Sequence, residues 1–361
     1  MAIKKVALLT GGGDCPGLNA VIRAVTRTCL ANNIEVVGFI DGFKGLVEND
    51  YMTLNSKAVS GILNRGGTIL GTTNRDNPFE FRVPDGKGGI KKADKSDQAI
   101  ANLHQLGVEA LVVIGGDGSL NIAYELNKKG VPVVGVPKTI DNDLSATDVT
   151  FGFNTAVDTA TEALDRLHTT AESHHRVMIL EVMGRYAGWI ALCAGLAGGA
   201  DIILIPEIPY NLDMITAKIS QRTTEGKKFS IVVVAEGAHS AGGDMVVQRL
   251  VDSHDPVRLG GIGNQLAEQL ETSTGMETRV TVLGHLQRGG VPVTYDRLLS
   301  TRYGVAAAKA IISGLDGVMV SLQGQDIITV PLADAIGEIK KVPPQGELVN
   351  VARAIGICVG D

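Results

Sequence analysis

Short apolar runs rich in β-branched residues recur along the chain, at 6–9, 35–39, 110–114, 131–136, 177–182, 202–205, 230–235 and 279–283. Several are apolar throughout instead of alternating, and segments of helical length separate many of them. A strand with a polar side has one wet face. A strand without one must be covered on both, and helical crossovers between parallel strands supply that cover. The predicted class is therefore α/β, doubly wound. The strand candidates form two groups that change near residue 150, where 148–153 leads into an Ala- and Thr-rich helix. Two Rossmann-like lobes with a cleft between them are expected, in keeping with a length of 361 residues that fits one large or two medium domains.

Composition removes other classes. The formal charge is −6, the 33 basic residues are scattered, and aromatics make up 4% of the chain, so neither a face that tracks phosphates nor a stacking platform for bases is present. No nucleic-acid partner is expected. The opening Met1 to Leu9 is apolar too briefly for a signal sequence, and no run approaches eighteen apolar residues, so no membrane partner is expected either. The four cysteines lack any C-x-x-C pairing, which argues against a zinc site or disulfide framework and for a reducing, cytoplasmic setting.

Sites in doubly wound folds form at the carboxyl ends of strands. Here Leu9 leads into Gly11, Ile114 into Gly115, Val182 into Met183-Gly184-Arg185 and Ala235 into Glu236, so all four motifs are expected to converge on one edge. The stretch Gly11-Gly12-Gly13-Asp14-Cys15-Pro16-Gly17 matches neither G-x-G-x-x-G nor a Walker A motif. It retains the physics of a phosphate turn, because residues without Cβ expose N–H groups at a helix start. Gly115-Gly116-Asp117-Gly118-Ser119 repeats the design and adds an acid suited to hold Mg2+ together with substrate oxygens and water.

Next comes Pro137-Lys138-Thr139-Ile140-Asp141-Asn142-Asp143. Alternation along an extended chain would point Thr139, Asp141 and Asp143 to one side, three oxygen-bearing groups that suit a sugar alcohol. Asp-Asn-Asp more commonly caps a loop, but the neighbouring glycine-acid motif favours chemistry. An aspartate of ordinary acidity would accept the alcohol proton late, as the phosphoryl group bonds to oxygen. Arg176, Arg185, Arg279 and Arg288 flank strand candidates and offer guanidinium forks to phosphate. Glu236 suits sugar hydroxyls, and His285 lies one turn step from Arg288. Residues 79–97 read as a surface excursion. Together these features indicate phosphoryl transfer to a hydroxyl.

With those residues in place, the chain resembles the 6-phosphofructokinase family, in its bacterial ATP-type group, over nearly its whole length. Gly-Gly-Asp-Cys-Pro-Gly-Leu-Asn-Ala, Gly-Gly-Asp-Gly-Ser, Thr-Ile-Asp-Asn-Asp, Glu-Val-Met-Gly-Arg and Leu-Gly-His-Leu-Gln-Arg-Gly-Gly occur in family order. The resemblance implies transfer of the γ-phosphoryl of MgATP to the 1-hydroxyl of fructose 6-phosphate, giving fructose 1,6-bisphosphate and ADP in glycolysis, by a cytoplasmic homotetramer. It implies Asp141 as base, Thr139, Gly12 and Arg185 as groups that steady the moving phosphoryl, and Asp117 as the magnesium acid. Gly12, Arg75, Gly115, Gly116, Asp117, Gly118, Ser119 and Lys138 are implied around the donor. Thr139, Asp141, Asp143, Met183, Gly184, Arg185, Glu236, His285 and Arg288 are implied around the sugar phosphate. Arg176 and Arg279 match arginines that reach the 6-phosphate from a neighbouring subunit. The donor lobe is expected over 1–152, completed by about 289–337, and the sugar-phosphate lobe over 153–288, completed by about 338–361.

Three positions depart from the common bacterial pattern. Gly118 matches ATP users, whereas Lys138 matches pyrophosphate users, so the donor signature is mixed. ATP is favoured, because a carboxylate at 118 would oppose the α-phosphate of a nucleotide and its absence permits binding. Arg75 lies one place later than the family's arginine after Gly-Gly-Thr-x-Leu-Gly. The resemblance matches Arg23, Arg27, Asp201 and Lys227 to an allosteric nucleotide site, while Ser56 and His168 fall where arginines are expected, which implies weakened control. A non-catalytic regulatory subunit of the same fold is the remaining alternative, and the presence of Asp117, Asp141 and Arg185 argues against it.

Overall fold

The computed structural model describes residues 3–86, 88–250 and 257–361. The chain divides into two units. One is formed by the segments through Thr139, Leu144–Gly152 and Arg288–Glu338, the other by Ile140–Asp143, Phe153–Gln287 and Ile339–Asp361.

The first unit is built on a sheet of order Asp326–Pro331, Val318–Gln323, Val133–Thr139, Ala110–Gly115, Lys5–Thr10, Glu35–Phe39, Tyr51–Thr53. The strands from Val318–Gln323 to Glu35–Phe39 run parallel. Each edge is closed by one antiparallel strand. The short strand Phe151–Gly152 pairs with Lys138 and Thr139. Ala110–Gly115 is buried at every position, as an unbroken apolar run requires. Leu9, Phe39, Leu111, Val113 and Leu120 share one core cluster. The helix Leu18–Ala31 buries Leu18, Val21, Ile22, Val25 and Cys29, the three- and four-residue spacing of one helical face.

The second unit carries a parallel sheet of order Ile202–Leu204, Ser230–Ala235, Val177–Val182, Thr278–Val282. Ser230–Ala235 and Val177–Val182 are again buried throughout. The acid within that run, Glu181, is satisfied locally: its carboxylate accepts the N–H groups of Gly261 at 3.2 Å and Gly263 at 2.8 Å, at the start of the helix Ile262–Thr274. The positive end of a helix is a favourable place for a buried anion.

Two expectations need correction. The glycine and acid motifs do not share one edge. Those at Gly11 and Gly115 end strands of the first sheet, and those at Met183 and Glu236 end strands of the second. Nor is the chain extended past Thr139, where the strand stops; a bend follows and Asn142 has φ 52°. Strand alternation therefore does not set the directions of Asp141 and Asp143. The 79–97 excursion contains an antiparallel hairpin, Phe81–Pro84 with Ile90–Ala93, whose Ile90 is exposed. Among the described residues no helix is long and apolar enough to cross a membrane.

Candidate functional site

In the first unit, three strand ends build a phosphate-type turn. Gly11 N–H donates to Ile114 O at 2.9 Å, which sets the turn after Lys5–Thr10 beside the one after Ala110–Gly115. Gly12, at φ 76°, donates to Thr73 O at 3.1 Å, and its carbonyl accepts from Thr72 Oγ1 at 2.6 Å. Arg75, exposed, follows two residues after Thr73. The Lys138 ammonium, at the end of its strand and only 5% exposed, donates to Gly13 O at 2.6 Å. Arg288 lies against the same residue: a Cβ on Gly13 would fall 1.8 Å from Arg288 Nη1. The Nε of Arg288 is buried and has no hydrogen-bond partner among the described residues. Two cations thus meet at one glycine turn, an arrangement suited to a phosphate anion.

Asp117 is exposed at the first residue of the helix Asp117–Lys128, and its Oδ1 accepts Gly337 N–H at 3.3 Å. Ser119, one turn in, is 8% exposed. Among the described residues no cluster of three or more acid, His or Cys side chains stands ready for a metal. Asp117 leaves carboxylate lone pairs available beside the Gly115-Gly116 turn. That donor set fits a Mg2+ ion held mainly by substrate oxygens and water, not a dedicated protein cage. Burial pushes the Cys15 thiol up to about 12, so it stays protonated at neutral pH and is no nucleophile.

In the second unit, Met183-Gly184-Arg185 and Glu236 are interlocked. Glu236 N–H donates to Val182 O at 2.9 Å and Gly237 N–H to Gly184 O at 3.1 Å. Met183 N–H donates to the side chain of Gln287 at 2.8 Å, a residue that is fully buried. Arg185 lies 5.5 Å from the Tyr186 ring centroid. His285 is exposed on the short helical turn Gly284–Arg288. Asp141 and Asp143 flank the left-handed Asn142, and Asp143 O accepts Lys340 N–H at 2.9 Å. Arg288, expected among the sugar contacts, lies in the first unit, against Gly13.

The two glycines closest to functional groups respond differently to an added methyl. On Gly237 it would fall 1.9 Å from the backbone O of Arg185, whereas on Gly13 it meets the far end of a long side chain. Gly237→Ala should destabilise by about 1–3 kcal/mol, as forced overpacking does. Gly13→Ala should leave the unfolding midpoint near wild type while displacing Arg288 and lowering turnover. Denaturant midpoints measured side by side check this; equal midpoints would refute it.

Arg176 and Arg279 occupy the opposite end of their strands. Arg176 immediately precedes Val177–Val182, and Arg279 pairs in register with Met178. Met183 leaves the far end of that strand, about 20 Å away at the rise of a parallel strand. Glu277 joins the two arginines: Arg176 Nε lies 2.8 Å from its Oε2, and Arg279 bonds its Oε1. The hydrogen bond from Arg176 first, then the two positive charges, hold the Glu277 carboxyl below the usual range. Of the positions matched to an allosteric site, Asp201 is engaged by Arg222 at 2.6 Å, and burial raises its pKa. His168 Nε2 bonds Gly198 O at 2.8 Å.

Sequence reasoning missed Lys340 altogether and met Thr72, Thr73 and Gln287 without giving them a role. Gln287 sits inside the Gly284–Gly290 motif and the threonines follow Gly66–Gly71, so their partners were within reach; Lys340 offers no motif.

Comparison with known proteins accords with this geometry. A family model described as Phosphofructokinase matches residues 5–311. An ATP-dependent 6-phosphofructokinase 2 from Clostridium perfringens is 59% identical, covering 99% of this chain and 99% of that protein. A pyrophosphate--fructose 6-phosphate 1-phosphotransferase from Streptomyces coelicolor is 54% identical over 94% of this chain and 96% of its own length. Among solved structures, phosphofructokinase from Saccharomyces cerevisiae is similar with a TM-score of 0.78 and 34% identity, over 92% of this chain and 45% of the yeast chain.

Proposed function

The chain belongs to the phosphofructokinase family, and from that premise we propose that it transfers the γ-phosphoryl of MgATP to the 1-hydroxyl of fructose 6-phosphate, giving fructose 1,6-bisphosphate and ADP in cytoplasmic glycolysis. The observation that carries the reading is the Gly11–Gly13 turn with Lys138 on its carbonyl and Arg288 against it. The first unit is the donor side. Its glycine turns at Gly12, Gly115, Gly116 and Gly118, with Ser119 at the helix start, receive the phosphate groups, and Arg75 and Lys138 add positive charge. Mg2+, when bound through Asp117 and the phosphates, neutralises charge on the transferring group.

The second unit is the acceptor side. Asp141 accepts the 1-hydroxyl proton as the oxygen bonds to phosphorus, while Arg185, together with Thr139 and Gly12, balances the negative charge spread over the phosphoryl oxygens. Asp143, Met183, Gly184, Glu236 and His285 position the sugar phosphate, with Arg288 of the first unit as a further cation for it. Arg176 and Arg279 serve the 6-phosphate of a neighbouring subunit in a homotetramer. Their place at the amino end of the strands, remote from the Arg185 loop of their own chain, supports that division.

Lys138 and the Streptomyces relative favour a second reading, in which pyrophosphate is the donor. A coupled assay for fructose 1,6-bisphosphate with each donor decides between them. ATP is expected to support turnover, and Gly118→Asp is expected to raise the KM for ATP at least about tenfold, the effect of one opposed charge near phosphate. Turnover with pyrophosphate and none with ATP would overturn the proposal.

A further inference from the structure

Lys340 joins the turn that carries Asp141 to the loop that carries Arg185, though no motif singles it out. Its N–H donates to Asp143 O at 2.9 Å, and its ammonium donates to Asn142 Oδ1 at 3.1 Å. At its other side, the Lys340 carbonyl accepts the indole N–H of Trp189 at 2.8 Å, and the ammonium lies 5.7 Å from that ring's centroid. Trp189 opens the helix Trp189–Ala197 directly after Gly188, so it is the first helical residue past the Arg185 loop. The anchor is doubled. The Glu207 carboxylate accepts N–H groups from Gly188 at 3.0 Å and from Val342 at 2.8 Å, tying the chain beside Lys340 to the same loop.

What Lys340 grips is the turn that carries the base. Asn142 is buried in the left-handed region, which Asn tolerates better than most residues, and sits between the two aspartates. We propose that Lys340 is a positioning residue for the reaction, fixing the Asp141–Asp143 turn against the Trp189 end of the Arg185 loop. The base and the phosphoryl-binding arginine then keep one spacing from turnover to turnover. The inference rests on the reading of Asp141 as base. Misplacement of a reacting group by about 1 Å lowers rates on the order of a hundredfold, so a tether of this kind is worth far more to turnover than to affinity.

Lys340→Met keeps the aliphatic stem over Trp189 and removes the ammonium; Asn142→Gly keeps the left-handed turn and removes the acceptor. Each is expected to lower kcat by about tenfold to a hundredfold, with the KM for fructose 6-phosphate moving less than about threefold. The double variant should lie within about twofold of the poorer single one, because both remove the same link. Lys340→Arg, which restores a donor, should recover kcat to within about threefold of wild type. A kcat for Lys340→Met or Asn142→Gly within about threefold of wild type, or losses that multiply in the double variant, overturns the proposal. Emission of Trp189, the chain's single tryptophan, reports whether each variant is folded. If Lys340→Met does not fold, Asn142→Gly decides alone: the kcat loss with unchanged KM supports the tether, and native turnover overturns it. Asp141→Asn assayed in parallel separates the two ideas. Full turnover there sinks the base, whereas a dead Asp141→Asn beside a normal Lys340→Met sinks only the tether.

Discussion

Asp141→Ser is expected to lower turnover by about 10²–10⁴-fold, the range that a positioned general base contributes, while fructose 6-phosphate still binds. The reason is the timing of the proton. A primary hydroxyl stays neutral until its oxygen has begun to bond to phosphorus, and a carboxylate then takes the proton as the oxygen becomes acidic. Serine offers no such acceptor. The substitution leaves in place the bonds from Lys340 to Asp143 O and to the Asn142 side chain. The kcat and the KM for fructose 6-phosphate, measured with saturating MgATP, check the expectation. Turnover within tenfold of wild type would remove Asp141 from the chemistry, and a KM risen in step with the loss would recast it as a binding group.

The second large effect is expected at the amino end of the second unit's strands. Arg176→Ala or Arg279→Ala should raise the KM for fructose 6-phosphate by about tenfold to a hundredfold, as loss of a charge-assisted hydrogen bond does, and should change kcat less. Both guanidiniums are partly exposed and share Glu277, which holds them together as one positive patch. Mixed oligomers test the cross-subunit assignment. Subunits bearing Asp141→Ser and subunits bearing Arg279→Ala, unfolded and reassembled together, should regain activity at low fructose 6-phosphate, because some sites then combine an intact base with an intact neighbouring arginine. If the two arginines served their own chain, no mixed site would be whole and the mixture would stay inactive.

The strands legible in the sequence were those with long apolar runs. Residues 177–182 and 230–235 are bounded as expected because burial on both faces keeps four or five consecutive apolar residues in each, even with Glu181 and Ser230 near their ends. A shorter run is lost. Val318–Gln323 went unrecognised because Ser321 interrupts it, and the hydroxyl of Ser321 is spent on Ala146 O, a partner that no local window contains. The glycine turns were visible as chemistry because they depend on consecutive residues. Their cations were not: that Lys138 and Arg288 both attend Gly13 is decided by strand order and by a segment far along the chain. Alternation failed at Asp141 for a local reason, the left-handed Asn142, which a propensity rule permits but does not demand. Lys340 stands beside Lys341 and reads as solvated charge. Its role exists only once Asn142 and Trp189, 198 and 151 residues distant, are brought to it.

The backbone passes between the two units at 139/140, 143/144, 152/153, 287/288 and 338/339, so each unit is assembled from three separated stretches. Val318–Gln323, the neighbour that encloses Val133–Thr139, therefore leaves the ribosome long after the strand it must flank. A nascent polypeptide halted before that point exposes an open row of amide and carbonyl groups along Val133–Thr139, an invitation to foreign strands. Synthesis of this protein thus carries a prolonged interval in which chaperone cover matters most, and it ends only when Val318–Gln323 has emerged.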